Sequence, residues 1–141
     1  MNDSLNILVV DDNEDLLDTF SLIFKRAGFS VVTASDGRTA VNKFRDGEFD
    51  ITLMDVVLPE MNGVEAFRLI HKMNPDTPVI LMTGYSDEDL EELAIREGAR
   101  CVMHKPLRIE QMIRIIKDTA SESPASSLVE DHNQAELVTS N

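Results

Sequence analysis

Four short, mainly apolar segments of this chain each end at a charged or hydroxyl-bearing residue, and this pattern limits the fold more than any other feature. Apolar runs of this length are typical of strands buried on both faces of a parallel sheet. The segments and the residues that end them are 7–10 with Asp11 and Asp12, 51–54 with Asp55, 79–82 with Thr83, and 101–104 with Lys105.

Segments with helical periodicity separate the apolar runs. The first, at about 14–27, has a predicted apolar face of Leu16, Phe20, Ile23, Phe24 and Ala27, and Gly28 suits its C-cap. A further strand is predicted around 31–32, with helices at about 37–46, 63–73, 86–97 and 108–120. Five such units predict an α/β fold, a doubly wound five-stranded parallel sheet with right-handed crossovers. An eight-unit barrel would need about 250 residues.

The polar residues at the strand ends are expected to share one crevice. Ligands of open α/β sheets bind beyond the carboxyl ends of the strands, where the strand order reverses. We take the flavodoxin-like order 2-1-3-4-5 as a prior. In that order Asp11 and Asp12 lie beside Asp55, Thr83 lies on its other side, and Lys105 reaches in from the fifth strand.

The composition of this crevice indicates phosphoryl chemistry. Clustered carboxylates repel one another, and a hard divalent cation such as Mg²⁺ relieves the repulsion while retaining sites for phosphate oxygens. A carboxylate can itself accept a phosphoryl group as an aspartyl phosphate. Lys105 would then offset charge on the transferring group, and Thr83 could donate a hydrogen bond to it.

Over about residues 5–120 the chain resembles a response-regulator receiver domain of two-component signalling. The resemblance rests on the pair Asp11-Asp12, the segment 55–63 (DVVLPEMNG), the step Thr83-Gly84 and the step Lys105-Pro106, in this order at strand ends. Acidic pairs and Lys-Pro steps are individually common, whereas the ordered set at strand ends is highly specific.

The resemblance implies a role for each site residue. Asp55 would be the phosphoacceptor, and Mg²⁺ would be bound by Asp12, by Asp11 directly or through water, by Asp55 and by the Val57 carbonyl. Thr83 would be the switch hydroxyl and Lys105 the phosphoryl-binding ammonium. The bond before Pro106 would be cis.

The chain departs from the family at the position three residues before Lys105, where most members carry Tyr or Phe and this chain has Val102. We hypothesise that phosphorylation repacks the 83–105 surface without an aromatic rotamer switch, with Tyr85 as the candidate replacement. The alternative is that Val102 only fills core space. The positions that flank the phosphoryl group in the family are Val57 and Tyr85 here, which predicts slow autodephosphorylation.

Charge and composition limit the classes of partner that this protein is expected to bind. The formal net charge of −13 lacks the basic footprint that nucleic-acid binding needs. No apolar run approaches the roughly 20 residues of a membrane span, and a single cysteine suits a reducing compartment, so we expect a cytoplasmic protein with no membrane partner. The expected partner is a histidine kinase or a histidine phosphotransfer protein, with a weak homodimer left open.

The resulting interpretation is a Mg²⁺-dependent switch rather than an enzyme acting on an external metabolite. Its readout surface would be the fourth helix, fifth strand and fifth helix. The rivals are an aspartyl-phosphate phosphatase of the haloacid dehalogenase type and a flavodoxin-like cofactor carrier. The phosphatases usually carry a second Asp two residues after the nucleophile, where this chain has Val57.

Domain organisation is predicted from the change in composition near residue 120. Residues 1–120 would form the receiver domain, and residues 121–141, which lack Lys, Arg and aromatic residues, a flexible polar tail or linker. Whether the chain acts alone or is part of a longer regulator stays open from the sequence.

Overall fold

Strands and helices alternate through the part of the chain that the structure, a computed structural model, describes, which is residues 4–84 and 88–121. The strands are β1 (Asn6–Val10), β2 (Ser30–Ala34), β3 (Ile51–Asp55), β4 (Val79–Thr83) and β5 (Cys101–His104). The helices are α1 (Glu14–Arg26), α2 (Gly37–Asp46), α3 (Gly63–Met73), α4 (Glu88–Arg96) and α5 (Ile109–Ala120). Within these ranges no helix has both the length and the apolar character that crossing a membrane requires.

The strands form one parallel sheet in the order β2-β1-β3-β4-β5, so the predicted fold class and strand order are confirmed. The order reverses between β1 and β3, which places the switch point where the sequence predicted it. In the register, Val10 pairs with Met54 and Thr83 pairs with His104. The carboxyl ends of the four strands that carry site residues are therefore nearly level.

Each face of the sheet has its own hydrophobic core. One core joins the sheet to α2, α3 and α4, and the other joins it to α1 and α5. Large side chains such as Phe20, Phe24 and Phe67 are at most 2% exposed. Full burial of a side chain of this size stabilises the fold by roughly 2–3 kcal/mol. The sheet edge that carries the polar residues is thus held between two packed layers.

The apolar face of α1 is rotated slightly from its predicted position. Leu17 is buried together with Phe20 and Phe24, whereas the predicted Leu16 and Ile23 are partly buried. Periodicity alone could not separate the adjacent leucines, because both lie within the width of one apolar stripe. The predicted cap is confirmed: Gly28 has φ +97°, and Phe29 N–H donates to Phe24 O, as in a Schellman motif.

Three features predicted from the sequence fall beyond the described residues. They are Ser86 as the start of the fourth helix, Tyr85 as the replacement aromatic, and the polar tail from residue 122 onward.

Candidate functional site

The carboxyl edge of the sheet brings together the polar residues that end its strands. Asp11 directly follows β1, Asp55 is the last residue of β3, and Thr83 is the last residue of β4. Lys105 directly follows β5. Asp11, Asp55 and Thr83 are all buried, so these polar groups are largely withdrawn from open solvent.

Asp55 is held by the strand and the loop that follows it. Its Oδ1 accepts a hydrogen bond of 3.0 Å from Val57 N–H, while Val56 N–H donates to Met82 O at 2.9 Å. Gly63 N–H donates to Val56 O at 2.7 Å, which folds the loop back beneath the aspartate. A Cβ at Gly63 would lie 2.1 Å from Asp55 O, so only glycine permits this approach. The loop therefore fixes the orientation of the carboxylate.

Lys105 bridges two of the carboxylates. Its Nζ donates to Asp11 Oδ2 and to Asp55 Oδ2, each at 2.8 Å. Burial by itself would lower the pKa of the Lys105 ammonium, but hydrogen bonds to Asp11 and then to Asp55 outweigh it, so its pKa is raised above the ordinary value. The site consequently carries a firmly protonated cation.

Asp11 and Asp12 complete the acidic cluster. Asp11 is fully buried, and its Oδ1 accepts a hydrogen bond of 3.0 Å from Asn13 N–H, whereas Asp12 is exposed. Carboxylate oxygens of Asp11, Asp12 and Asp55 lie within 4.8 Å of one another. Three carboxylates against one ammonium leave an excess of negative charge on hard oxygen ligands. This donor set fits a small divalent cation such as Mg²⁺.

Thr83 and Lys105 are linked through the backbone. Thr83 is 3% exposed, and its carbonyl accepts a hydrogen bond of 2.8 Å from Lys105 N–H. The Lys105-Pro106 peptide bond is cis. A backbone hydrogen bond therefore joins the end of β4, which carries the Thr83 hydroxyl, to the loop after β5, which carries the Lys105 ammonium.

Sequence reasoning missed a contact at the border of this site. His104 is half exposed, and its Nε2 lies 2.6 Å from Oε2 of Glu91 in α4. Such a pair cannot be predicted from the spacing of residues in the sequence, because the two residues belong to different secondary-structure elements.

The remaining predicted positions flank the cluster. Val57 is 47% exposed and follows Asp55 by two residues. Val102 is partly buried and packs against the core beneath α2, α3 and α4. The side of the site that Tyr85 would occupy lies outside the described residues.

Comparison with known proteins gives one family. The model of the response regulator receiver domain matches residues 7–117. Regulatory protein AtoC of Escherichia coli K12 is 36% identical over 111 residues, which are 79% of this chain and 24% of that protein. Chemotaxis protein CheY of Thermotoga maritima is 31% identical over 111 residues, which are 78% of this chain and 92% of that protein.

A solved structure of similar fold is a CheY-like response regulator receiver domain protein from Methanospirillum hungatei. It has a TM-score of 0.81 and 28% sequence identity, and the match covers 84% of this chain and 94% of that one. By contrast, the chain spans about a quarter of the length of AtoC. What the comparisons share is therefore the single domain and not the further parts of the longer relatives.

Proposed function

The chain belongs to the response regulator receiver domain family, and from that premise we propose that Asp55 is its phosphoacceptor. Members of this family are phosphorylation-dependent switches of two-component signalling. The observation that carries the assignment is the position of Asp55, a buried carboxylate at the switch point that Lys105 contacts at 2.8 Å. The receiver domain itself is proposed to span residues 1–120.

The proposed reaction is transfer of one phosphoryl group to a carboxylate oxygen of Asp55. That oxygen attacks phosphorus, the P–N bond of a phosphohistidine breaks, and its electron pair leaves with the imidazole. The donor would be a histidine kinase or a histidine phosphotransfer protein. Lys105 supports the step because a fixed ammonium near the acceptor offsets negative charge on the transferring group without reorganisation.

Receiver domains bind Mg²⁺ at an acidic pocket, and the cluster of Asp11, Asp12 and Asp55 fits that use. We assign the metal to these three carboxylates together with the Val57 carbonyl. When bound, the ion would supply charge neutralisation and orientation of phosphoryl oxygens. The chain's own contribution is to hold Asp11 and Asp55 in place through Lys105 and through backbone N–H donors.

Thr83 is assigned as the switch residue, whose hydroxyl responds to the phosphoryl group. Its hydroxyl lies on the strand end beside Asp55 and would donate a hydrogen bond to a phosphoryl oxygen. The response would reach partners through the surface of α4, β5 and α5. This chain acts as a switch that assists its own phosphorylation and hydrolysis rather than as an enzyme on an external metabolite.

The lifetime of the phosphorylated state is expected to be long. Val57, which would flank the phosphoryl group, offers no side-chain donor or acceptor to position an attacking water. The same residue argues against the phosphatase alternative, because haloacid dehalogenase-type enzymes usually carry an Asp there as general acid. The comparisons give no support to that alternative.

Intact mass spectrometry after incubation with a small acyl phosphate and Mg²⁺ tests the assignment. The wild type should gain the mass of one phosphoryl group, and Asp55→Asn should gain none. Asp46→Asn, an exposed aspartate at the end of α2, is the matched control and should label like the wild type. Labelling that persists in Asp55→Asn would place the acceptor elsewhere. Repeated release of phosphate from a generic phosphate ester would instead favour the phosphatase.

A further inference from the structure

Helix α4 is held to the fold by unusually little apolar burial. Ala94 is the one buried residue among its nine residues, 88–96, whereas α3 buries five of its eleven. Leu90 also packs against that core, although it is only partly buried. Because the hydrophobic contribution scales with buried apolar area, Ala94 and a partly buried Leu90 contribute less than the five buried residues of α3. Elements with few buried apolar contacts are those that move most readily in a native protein. The polar contacts of α4 therefore weigh heavily in its position.

The last turn of α4 is fastened to α3. Arg68 donates to both carboxylate oxygens of Glu97, with Nε–Oε1 at 2.6 Å and Nη2–Oε2 at 3.0 Å. Next to this pair, Gly98 has φ +114° and lies so close to His71 that an added Cβ would be 2.6 Å from the imidazole ring. Ala99 N–H donates to Ala94 O at 2.9 Å and closes the helix. The Arg68–Glu97 pair is partly exposed, and the close approach of Gly98 to the His71 ring adds to it in fastening this end of the helix.

The first turn of α4 is held by the Glu91–His104 hydrogen bond of 2.6 Å together with the partly buried Leu90. His104 lies between the two groups assigned to the phosphoryl group. It precedes Lys105 in the chain, and it pairs with Thr83 across the β4–β5 ladder. A displacement of either group on phosphorylation would move the backbone that carries the His104 ring. Hydrogen bonds weaken steeply when donor and acceptor separate or tilt, so a small displacement suffices to loosen this contact.

The space beneath α4 leaves little room for another relay. The gap lined by Thr83, Glu91 and Val102 measures about 10 Å³, room for about one water-sized probe. An inward-turning ring, the usual device of the family, has no counterpart at Val102. Among the described residues, α4 covers this gap with Leu90, Glu91 and Ala94, so an adjustment around Thr83 would act on that helix.

We propose that α4 is a lever, with Arg68–Glu97 as its hinge and Glu91–His104 as a latch that reports the state of the Asp55 site. This inference rests on the function proposed above. Phosphorylation would release the latch, so that the first turn of α4 moves while the last turn stays in place.

Hydrogen exchange of the full chain, with and without beryllofluoride and Mg²⁺ as a phosphoryl mimic, tests the lever. In the wild type, exchange should rise about fivefold or more in peptides covering 88–93 and change less than about twofold in those covering 94–100. His104→Ala should exchange rapidly at 88–93 already in the free protein, and its response to the mimic should fall to less than half. His104→Gln, which retains a hydrogen-bond donor for Glu91, should recover part of that response.

Two further variants and one measurement separate the outcomes. Arg68→Ala should extend the response to 94–100, and Glu92→Ala, an exposed acid beside Glu91, should behave as the wild type. Intact mass should show that His104→Ala still gains one phosphoryl group. An undiminished response at 88–93 in His104→Ala would overturn the latch, as would loss of phosphorylation in that variant alone. Absence of phosphorylation in the wild type would instead refute the function on which the latch depends.

Discussion

The Lys105 ammonium donates a hydrogen bond of 2.8 Å to Asp55, although 50 positions separate the two residues in the chain. The same ammonium contacts Asp11, so one cation bridges two of the three clustered carboxylates. This arrangement has two consequences. Positive charge is already in place beside the proposed acceptor, and the ammonium would compete with a divalent cation for the Asp11 and Asp55 carboxylates.

Removal of that ammonium should strengthen metal binding while weakening the switch. We expect Lys105→Met to bind Mg²⁺ about fivefold to tenfold more tightly, because loss of one positive charge beside the cluster changes the interaction by about 1 kcal/mol. Isothermal titration with Mg²⁺ measures the affinity, and Lys117→Met, an exposed lysine of α5, is the control. Weaker Mg²⁺ binding in Lys105→Met would contradict a competition between the Lys105 ammonium and Mg²⁺ for the carboxylates.

The stability contributed by Lys105 should disappear at alkaline pH. Its pKa is raised above its ordinary value of 10.5, so the folded state favours the protonated form. That contribution is complete below the ordinary value and is lost as pH rises through the folded-state pKa. Urea midpoints at about pH 8 and about pH 11 should show the gap between wild type and Lys105→Met narrowing. A difference in urea midpoint that widens from about pH 8 to about pH 11 would contradict the predicted direction of the pKa shift. The control Lys117→Met should show no comparable narrowing.

Substitution of Gly63 should disrupt the loop beneath Asp55. A Cβ there would meet Asp55 O at 2.1 Å and Val56 Cα at 2.7 Å, and both are backbone atoms that cannot move aside cheaply. We expect Gly63→Ala to lower the free energy of unfolding by about 3 kcal/mol or more. Gly84→Ala, where an added Cβ meets nothing within 4 Å, should cost far less in the same urea titration. Equal losses in the two variants would show that the close approach is unimportant.

A polar side chain at Val57 should shorten the phosphorylated lifetime. Val57→Asn would place a donor and acceptor where a valine now lies half exposed, and an oriented water should then hydrolyse the aspartyl phosphate several-fold faster or more. The decay of the phosphorylated mass after removal of the donor measures this rate. Leu69→Asn, an equally exposed apolar position on α3, should leave it unchanged. A wild-type half-life of seconds would defeat the expectation of a slow switch.

Much of the fold follows from local pattern. Apolar runs and helical periodicity predicted every strand and helix that the structure describes to within a few residues, because both depend on neighbours in sequence. The apolar face of α1 was less well predicted, since Leu16 and Leu17 are equally apolar and only packing chose the second. The strand order was assumed from the fold class, and the structure confirmed it.

The candidate site, too, was predicted only in part from the sequence. The residue types at the strand ends, with Asp55, Thr83 and Lys105 in order, together with the assumed strand order, predicted one acidic crevice. The phosphoryl chemistry assigned to that crevice stays a prediction. The contacts of α4 with His104 and with Arg68 were beyond such reasoning, because each joins residues that have no fixed relation in sequence.

What the sequence determined by itself is the alternation of strands and helices and the chemistry at each strand end, since hydrophobic period and residue type are local properties. Only the tertiary structure decided that Lys105 bridges Asp11 and Asp55, that Arg68 contacts Glu97 and that His104 contacts Glu91. The reason is geometric. Distances between elements depend on the register and packing of the whole sheet, and no stretch of sequence specifies those alone.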